Sequence, residues 1–291
     1  MPKYTIIMPA KNAESTITRS ITSTLKAFPR DTHIAIWDDA SEDRTAEFAQ
    51  RVDTRRVLLT TSCKSVGSGL ARQRLIDSTD SEFVVIQDAD DISLPWRHRL
   101  QSQQLSDADF SFAAAQRFSD TKHIYRPSLP FHYNPTDTSI SLVFHNPLAH
   151  STMIARRDAL ADIGGYSASR VAQDYELLLR AATAGKRISR IGIPTVLYRI
   201  SSTQISSQRE YASRIVGSTE ICSAYGRHLE HLLPEAKFKF EAPTSLPELK
   251  NKISYKQVEP LVAKLRPHLR PYYRHLLSNH RFGHLAAEVL S

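Results

Sequence analysis

The feature that most constrains the fold is the alternation of short apolar runs and helix-like segments through the first hundred residues. Four β-branched or aromatic runs have the length of strands: Tyr4–Met8, His33–Trp37, Val57–Thr60 and Phe83–Gln87. Segments with helical periodicity lie between them, at 15–26, 43–52 and 68–78. This alternation predicts parallel strands joined by right-handed crossovers. We therefore predict a Rossmann-like α/β fold, with a mostly parallel central sheet flanked by helices.

Polar residues follow three of the four predicted strands. These segments are Pro9–Asn12, Asp38–Ser41 and Asp88–Asp91. Ligands of open α/β sheets bind beyond the carboxyl ends of the strands. We therefore expect the three polar segments to line one edge of the sheet.

The most acidic segment follows the fourth strand and contains Asp88, Asp90 and Asp91. Three neighbouring carboxylates repel one another unless a cation is near. Their oxygens suit a hard divalent ion, which keeps positions for phosphate oxygens. An Asp-rich turn before a helix near Pro95 explains the same residues without a ligand. The motif alone leaves both interpretations open.

Two further segments suit a nucleotide without proving one. Asp38 and Asp39 end a predicted buried strand, where they could accept hydrogen bonds from a nucleobase or a ribose hydroxyl; Ser41 could instead cap the following helix. Arg72 follows a glycine-containing turn into a helix, an arrangement that suits a diphosphate. That turn lacks the Gly-Lys-Ser/Thr sequence of a P-loop and the third glycine of a dinucleotide fingerprint. A solvent-facing Arg72 remains the alternative.

Taken together and in order, these motifs resemble those of the family 2 glycosyltransferases, which have the GT-A fold, and in particular the bacterial polysaccharide-building members. The resemblance covers roughly residues 3 to 206. It rests on Pro9-x-x-Asn12, Asp38-Asp39-x-Ser41-x-Asp43-x-Thr45, Gly69-x-Ala71-Arg72, Asp88-Ala89-Asp90-Asp91, Gly164-Gly165-Tyr166 and Gln173-Asp174-x-x-Leu177-x-x-Arg180.

The resemblance implies a site for a nucleotide-sugar donor, commonly a UDP-sugar. Pro9 and Asn12 match the loop beside the nucleotide. Asp39, together with Asp38, matches the acid that recognises the base. Arg72 matches the residue near the base and the diphosphate.

The same resemblance implies an inverting transfer of the sugar to a hydroxyl of a saccharide or lipid-linked saccharide. Asp88 matches the carboxylate near the ribose and the sugar. Asp90 matches the ligand of Mn²⁺ or Mg²⁺, which would stabilise the leaving diphosphate. Asp174 matches the general base that takes the acceptor's proton in a single displacement.

The chain departs from the family pattern at two places. Gln173 stands where many relatives carry an acid before the base, and Ser201 stands where a histidine is often found. We therefore treat Gln173 and Arg199 as candidates for contacts with the acceptor or the diphosphate, and His145 or His150 could replace the missing histidine. His150 is also a candidate because the segment 146–152 resembles an acceptor-side segment of the polysaccharide-building members, although a lone histidine is more often structural.

The C-terminal region differs in composition from the rest. The chain carries a formal charge of +8, and residues 226–291 hold 11 Lys or Arg against 6 Glu. Leu261, Leu265, Leu269, Tyr273 and Leu277 keep a four-residue spacing, which predicts short helices begun or broken by prolines. We predict a GT-A domain over 1–225 and a basic helical extension over 226–291. This extension could contact an anionic membrane surface.

The expected location is cytoplasmic, with peripheral attachment at the inner face of the membrane. No apolar run approaches the roughly 18 to 20 residues of a membrane span, and the two cysteines, Cys63 and Cys222, favour a reducing compartment. We expect no nucleic acid partner.

Two other functions fit parts of the sequence. An aspartate-dependent phosphatase-like hydrolase would use Asp88 as a nucleophile with an acid two residues on, although such a pair usually follows the first strand. A basic protein that binds nucleic acid or membrane would depend on 226–291, and it leaves the acidic strand ends without a purpose.

Overall fold

The computed structural model describes residues 2–119, 126–167, 171–200, 218–236 and 255–278. The chain forms two compact units. The first comprises 1–132, 148–170 and 189–200, and the second comprises 133–147, 171–188 and 201–291.

Within the described ranges, nine strands form one sheet in the order β3-β2-β1-β4-β8-β6-β9-β5, with β7 paired to β6. The strands are β1 Tyr4–Ala10, β2 His33–Asp38, β3 Val57–Thr61, β4 Phe83–Ile86, β5 Ile92–Ser93, β6 Phe110–Phe118, β7 Arg126–Pro127, β8 Ile154–Arg156 and β9 Ile188–Arg199.

The first four strands are parallel, as the sequence pattern predicts. Ala10 of β1 pairs with Asp38 of β2, and Ile7 of β1 pairs with Ile86 of β4. The sheet then continues with antiparallel strands, because β8 runs against both β4 and β6. The α/β prediction is therefore confirmed, while the antiparallel half comes from a part of the sequence with weaker periodicity.

Ten α-helices accompany the sheet in the part of the chain that the structure describes. They are α1 Ile17–Ala27, α2 Thr45–Val52, α3 Ser68–Asp77, α4 Arg97–Gln104, α5 Pro135–Phe144, α6 Arg157–Asp162, α7 Gln173–Thr183, α8 Thr219–Leu232, α9 Tyr255–Lys264 and α10 Arg270–Ser278.

The core of the first unit lies where α1 packs on the parallel strands. Ile17 and Ile21, four residues apart on one face of α1, are fully buried together with Ile6 of β1 and Ile34 of β2. Burying each such side chain contributes roughly 1.5–3 kcal/mol. This apolar layer holds the strand ends in place, and with them the polar segments that follow.

The second unit is helical and includes α9 and α10. Asn134 and Asp137 form a capping box at the start of α5, and Asp137 also pairs with Arg266, the residue two positions after α9. The five residues with four-residue spacing are all buried, and they are divided between α9, the segment after it and α10: Leu261, Leu265, Leu269, Tyr273 and Leu277. One expectation is wrong: Pro260 lies inside α9 and does not begin or end it.

The predicted boundary between 225 and 226 falls inside α8, so it does not coincide with the end of an element. The division into a 1–225 domain and a 226–291 extension stays a prediction. Across the described ranges, no helix combines the length and apolar character that crossing a bilayer requires.

Candidate active site

The acidic segment after β4 is anchored from two sides. Asp91 is fully buried, and its Oδ1 accepts a hydrogen bond from the backbone N–H of Arg199 at 2.9 Å. Arg199 in turn donates from Nε to the carbonyl of Asp90 at 3.0 Å, and its guanidinium lies over the ring of Phe118. Burial, with the charges of Asp88 and Asp90, raises the pKa of Asp91 well above its usual range. Asp91 therefore has a structural role, whereas Asp88 and Asp90 are partly exposed.

A buried arginine that sequence analysis missed supports this segment from below. Arg97 is fully buried and donates to the side chain of Gln87 at 2.6 Å and to the carbonyls of Ile86 and Ser151 at 2.8 and 2.9 Å. Burial lowers the pKa of Arg97 to about 9, so it remains a cation at neutral pH. In the sequence, a single arginine on a predicted helix does not indicate whether its side chain is buried or faces solvent.

Arg72 and Asp88 come together at this edge of the sheet. Arg72 lies in α3, is largely buried, and donates from one terminal nitrogen to Asp88 Oδ1 at 2.7 Å. The backbone carbonyl of Asp88 also accepts from the Ser20 hydroxyl in α1 at 2.9 Å. The alternative of a solvent-facing Arg72 is therefore wrong.

Asp39 organises the loop that leads into α3. One carboxylate oxygen accepts from the N–H of Val66 at 2.7 Å and from Trp37 Nε1 at 3.3 Å; the other accepts from the Ser65 hydroxyl at 2.7 Å and the N–H of Gly67 at 2.9 Å. Burial alone would raise the pKa of Asp39, but these hydrogen bonds outweigh it and lower that pKa. Four donors match the roughly four acceptor positions of a carboxylate. A nucleobase N–H must therefore displace one of them to bind Asp39.

Asn12 joins the loops after β1 and β2. Its backbone N–H donates to the Ser41 hydroxyl, and its side-chain oxygen accepts from the N–H of Glu42, both at 2.9 Å. Asp38 is buried and accepts from the N–H of Ser41 at 3.3 Å. Ser41 is not a helix cap, because α2 begins at Thr45.

Pro9 lies in β1 opposite Trp37 of β2, one residue before the strand ends at Ala10. Proline has no backbone N–H to donate, so Pro9 contributes to this edge through the shape of its ring.

His150 pairs with Tyr166 in the first unit. The Tyr166 hydroxyl lies 2.8 Å from His150 Nε2, and the two rings meet edge to face. Nδ1 of the same ring is buried and has no hydrogen-bond partner among the described residues. Burial, assisted by the charge of Arg72, lowers the pKa of His150 well below its usual value. The imidazole is therefore neutral at pH 7.

The Gly164-Gly165-Tyr166 motif is explained by close packing on α3. The N–H of Tyr166 donates to Gln73 Oε1 at 2.8 Å. A Cβ atom on Gly165 would lie 2.2 Å from that same oxygen, and the φ of Gly165 is +62°. The positive φ favours glycine at this position, whereas the Gln73 side chain could move away from an added Cβ.

Asp174 and Gln173 lie in the second unit, at the start of α7. Asp174 is partly exposed and accepts a hydrogen bond from Asn146 Nδ2 at 3.1 Å. The helix begins at Gln173, after Ala172 in the left-handed region at φ +42°. Asn146 begins the segment that resembles an acceptor-side segment, but its contact with Asp174 was not predicted, since an asparagine 28 residues before an acid gives no pairing signal.

The first unit therefore contains the residues assigned to the donor, and the observed contacts join them in two groups. It joins Arg72 directly to Asp88, and Arg199 to the loop of Asp90. It also links Asn12 to the loop of Asp38 and Asp39. Ser201 lies outside the described residues.

The carboxylates of this site fit a hard divalent cation that shares its coordination with other groups. Asp91 is buried and accepts from Arg199, Asp88 is paired with Arg72, and both Asp88 and Asp90 are partly exposed. Among the described residues there is no group of three His, Cys, Asp or Glu side chains able to hold a metal. Mg²⁺ and Mn²⁺ sites of this kind use one or two carboxylates, with water and phosphate oxygens completing the shell.

The family model described as Glycosyl transferase family 2 matches residues 5–164, more than half of the chain. These residues include β2 to β4, all of β1 except Tyr4, and the acidic segment after β4. The chain belongs to this family.

Two curated relatives illustrate its bacterial members. The Escherichia coli UDP-Glc:alpha-D-GlcNAc-diphosphoundecaprenol beta-1,3-glucosyltransferase WfgD is 31% identical over 107 residues, which is 37% of this chain and 42% of that protein. The succinoglycan biosynthesis protein ExoO of Rhizobium meliloti is 24% identical over 226 residues, 71% of this chain and 63% of that protein. The matches thus span less than two thirds of each relative's length.

Solved structures confirm the GT-A fold. The crystal structure of S. aureus TarS in complex with UDP-GlcNAc matches with a TM-score of 0.59 and 20% identity, over 99% of this chain and 89% of that chain. Its complex with UDP matches with a TM-score of 0.58 and 19% identity, over 99% and 90%. Neither the phosphatase-like nor the nucleic-acid-binding alternative gains support from these comparisons.

Proposed function

We propose that the protein is an inverting glycosyltransferase that moves a sugar from a UDP-sugar to a hydroxyl of a saccharide or lipid-linked saccharide. The observation that carries the proposal is the ion pair between Arg72 and Asp88, next to the loop of Asp90 and Arg199. Guanidinium groups and carboxylates in one place suit a ligand with both a diphosphate and sugar hydroxyls. The name of WfgD includes a UDP-Glc donor and a lipid diphosphate acceptor, and TarS binds UDP and UDP-GlcNAc.

On the donor side, each group has a chemical task. Arg72 and Arg199 offer positive charge to the diphosphate, and Asp88 accepts hydrogen bonds from the ribose and the sugar. Pro9, Asn12, Asp38 and Asp39 form the side that faces the nucleobase. Asp39 contributes there in part by fixing the backbone of residues 65–67.

In the proposed transfer, the acceptor hydroxyl oxygen attacks the anomeric carbon and forms the new glycosidic bond. The bond from that carbon to the diphosphate oxygen breaks, and its electron pair leaves with UDP. Asp174 takes the hydroxyl proton, so one displacement inverts the anomeric centre. Mn²⁺ or Mg²⁺ at Asp90 would supply positive charge to the leaving diphosphate.

Gln173 and His150 are proposed to contact the acceptor or the diphosphate. Because the Nε2 atom of His150 is already engaged by Tyr166, this histidine would act as a neutral hydrogen-bonding group.

The basic extension is proposed to hold the enzyme at an anionic membrane surface on the cytoplasmic side. Its exposed cations include Lys256 and Lys264 of α9 and Arg274 of α10. Binding to phosphatidylglycerol vesicles should then weaken as salt rises and in the K256E/K264E/R274E variant. Equal binding to neutral phosphatidylcholine vesicles would argue against this role.

The decisive experiment for the transfer measures UDP release from UDP-glucose and UDP-GlcNAc in the presence of Mn²⁺. Water serves as a slow acceptor, so no saccharide acceptor has to be known. We expect turnover with at least one donor, and loss of turnover in D174N with UDP affinity retained. Turnover of a generic phosphate ester, lost in D88N, would instead support the phosphatase-like alternative.

A further inference from the structure

Asn146 stands beside the proposed base and holds one of its carboxylate oxygens. The side-chain nitrogen of Asn146 donates to Asp174 Oδ2 at 3.1 Å, and both residues belong to the second unit. An amide N–H that points at one oxygen stabilises the ionised carboxylate and selects its orientation.

The segment that carries Asn146 is itself held by three tyrosine hydroxyls. Tyr175 of α7 donates to the carbonyl of Leu142 at 2.6 Å, and Tyr225 of α8 donates to the carbonyl of Val143 at 2.8 Å. Because these contacts come from separate helices, the end of α5 has little freedom to shift.

The third hydroxyl belongs to the C-terminal extension. Tyr273 of α10 lies with its hydroxyl 3.1 Å from Nε2 of His145, the residue before Asn146, and the two rings stack with centroids 5.6 Å apart. Tyr273 is fully buried. The extension therefore supports the residue that contacts Asp174.

The other acid in the first turn of α7 has a different partner. Glu176 is buried, and Arg180 donates to both of its oxygens, at 2.6 and 2.9 Å. This pair is formed within α7 itself. Of the two acids, Asp174 is the one for which a contact from Asn146 is observed.

We propose that Asn146 is a positioning residue for the general base. The three tyrosines fix the 142–146 segment, and Asn146 in turn holds the Asp174 carboxylate in one orientation. This inference rests on the proposed function, because it assigns a task to a neighbour of the proposed base. A base displaced by about 1 Å can lose a hundredfold in rate while substrate binding is unaffected.

The test measures UDP release from UDP-glucose and UDP-GlcNAc with Mn²⁺, together with UDP affinity by calorimetry, in the full-length protein. N146A should lower kcat about ten- to a hundredfold while KM and UDP affinity stay unchanged. N146D keeps the shape of the side chain, removes the hydrogen-bond donor and adds a negative charge beside Asp174. Its kcat should therefore fall at least as far as that of N146A. N134A is the matched control: it removes the cap of α5 in the same unit and should lower Tm without lowering kcat.

A double-mutant cycle separates positioning from a general structural effect. In the D174N background, N146A should have no further effect on the residual rate, since the group that it orients is gone. An equal loss in both backgrounds, or a raised KM at unchanged kcat, would overturn the inference. Full turnover of N146A beside a D174N whose turnover is strongly reduced overturns the role of Asn146 alone, whereas full turnover of D174N removes the proposed base and the inference with it.

Discussion

The guanidinium of Arg72 donates to the Asp88 carboxylate over 2.7 Å, although the two residues lie on different elements, 16 positions apart. The arginine side chain is 9% exposed and that of the aspartate 28%. The pair thus presents opposite charges at the edge of the sheet that we propose for the donor. Each member holds the other in place before any donor arrives.

Replacing Arg72 by Met should therefore weaken both folding and donor binding. The loss of the cation removes a charge-assisted hydrogen bond to the partly exposed Asp88 and should cost roughly 1–3 kcal/mol of stability. UDP affinity should fall about tenfold or more, since a guanidinium facing the diphosphate is lost. Calorimetric titration with UDP and urea unfolding measure the two effects. D88N in the R72M background should recover part of the stability but none of the UDP affinity; recovery of both would contradict the donor role of Arg72.

The metal assignment predicts a thermal shift that depends on one carboxylate. UDP with Mn²⁺ should raise Tm more than UDP alone, because ligands that bind only the folded state stabilise it. In D90A the increment due to Mn²⁺ should vanish while the shift from UDP alone remains. D107N, at an exposed aspartate outside this segment, is the control and should behave as the unsubstituted protein. An unchanged Mn²⁺ increment in D90A would exclude Asp90 as the ligand.

Because Asp39 accepts hydrogen bonds from residues 65–67, its replacement should lower the stability of the fold and loosen this loop. D39N keeps one acceptor oxygen and places an amide N–H₂ against backbone donors, so it should cost roughly 1–3 kcal/mol. Hydrogen exchange should then quicken at the amides of Val66 and Gly67, which donate to Asp39. D38N should have a smaller effect, because a single longer contact of 3.3 Å to Ser41 is known for that carboxylate. Unchanged exchange at both amides in D39N would contradict the organising role.

A buried histidine in the second unit predicts a loss of stability in mild acid. Burial lowers the pKa of His228 to about 4, and its ring contacts the Ser139 carbonyl and the Thr183 hydroxyl. The unfolded chain has a histidine pKa near 6.5 and so binds more protons between these values. Stability should therefore fall as the pH drops from about 6.5 to 4, by roughly 3 kcal/mol from this residue.

The measurement is urea unfolding as a function of pH, compared with the H228Q variant. H228Q should be less stable at pH 7, and its free energy of unfolding should fall less steeply between pH 6.5 and pH 4. H231Q replaces an exposed histidine of the same helix and should keep the original slope. If H228Q retained the full decline, other groups would have to account for it.

Much of the first unit could be predicted because its strands and helices are each encoded by a short stretch of sequence. Buried parallel strands are short apolar runs, and helices between them show a period of 3.6 residues, so the alternation is visible in the sequence. Polar residues at strand ends identified Asp38, Asp39, Asp88 and Asp90 as one group for the same reason.

The antiparallel strands were harder to predict. Two of them are too short for any periodicity to register, since β8 has three residues and β5 has two. Their places in the sheet depend on partners distant in sequence.

The sequence by itself thus determined the α/β class, the family and the residue types at the strand ends, since these depend on local pattern and motif order. Only the tertiary structure decided that Arg72 pairs with Asp88, that Arg97 lies buried beneath the acidic segment, and that Asn146 contacts Asp174. Such contacts join residues that are distant in sequence, and no repeating pattern in the sequence indicates which residues will meet. They exist because packing of the core brings their backbones close and leaves each buried polar group in need of a partner.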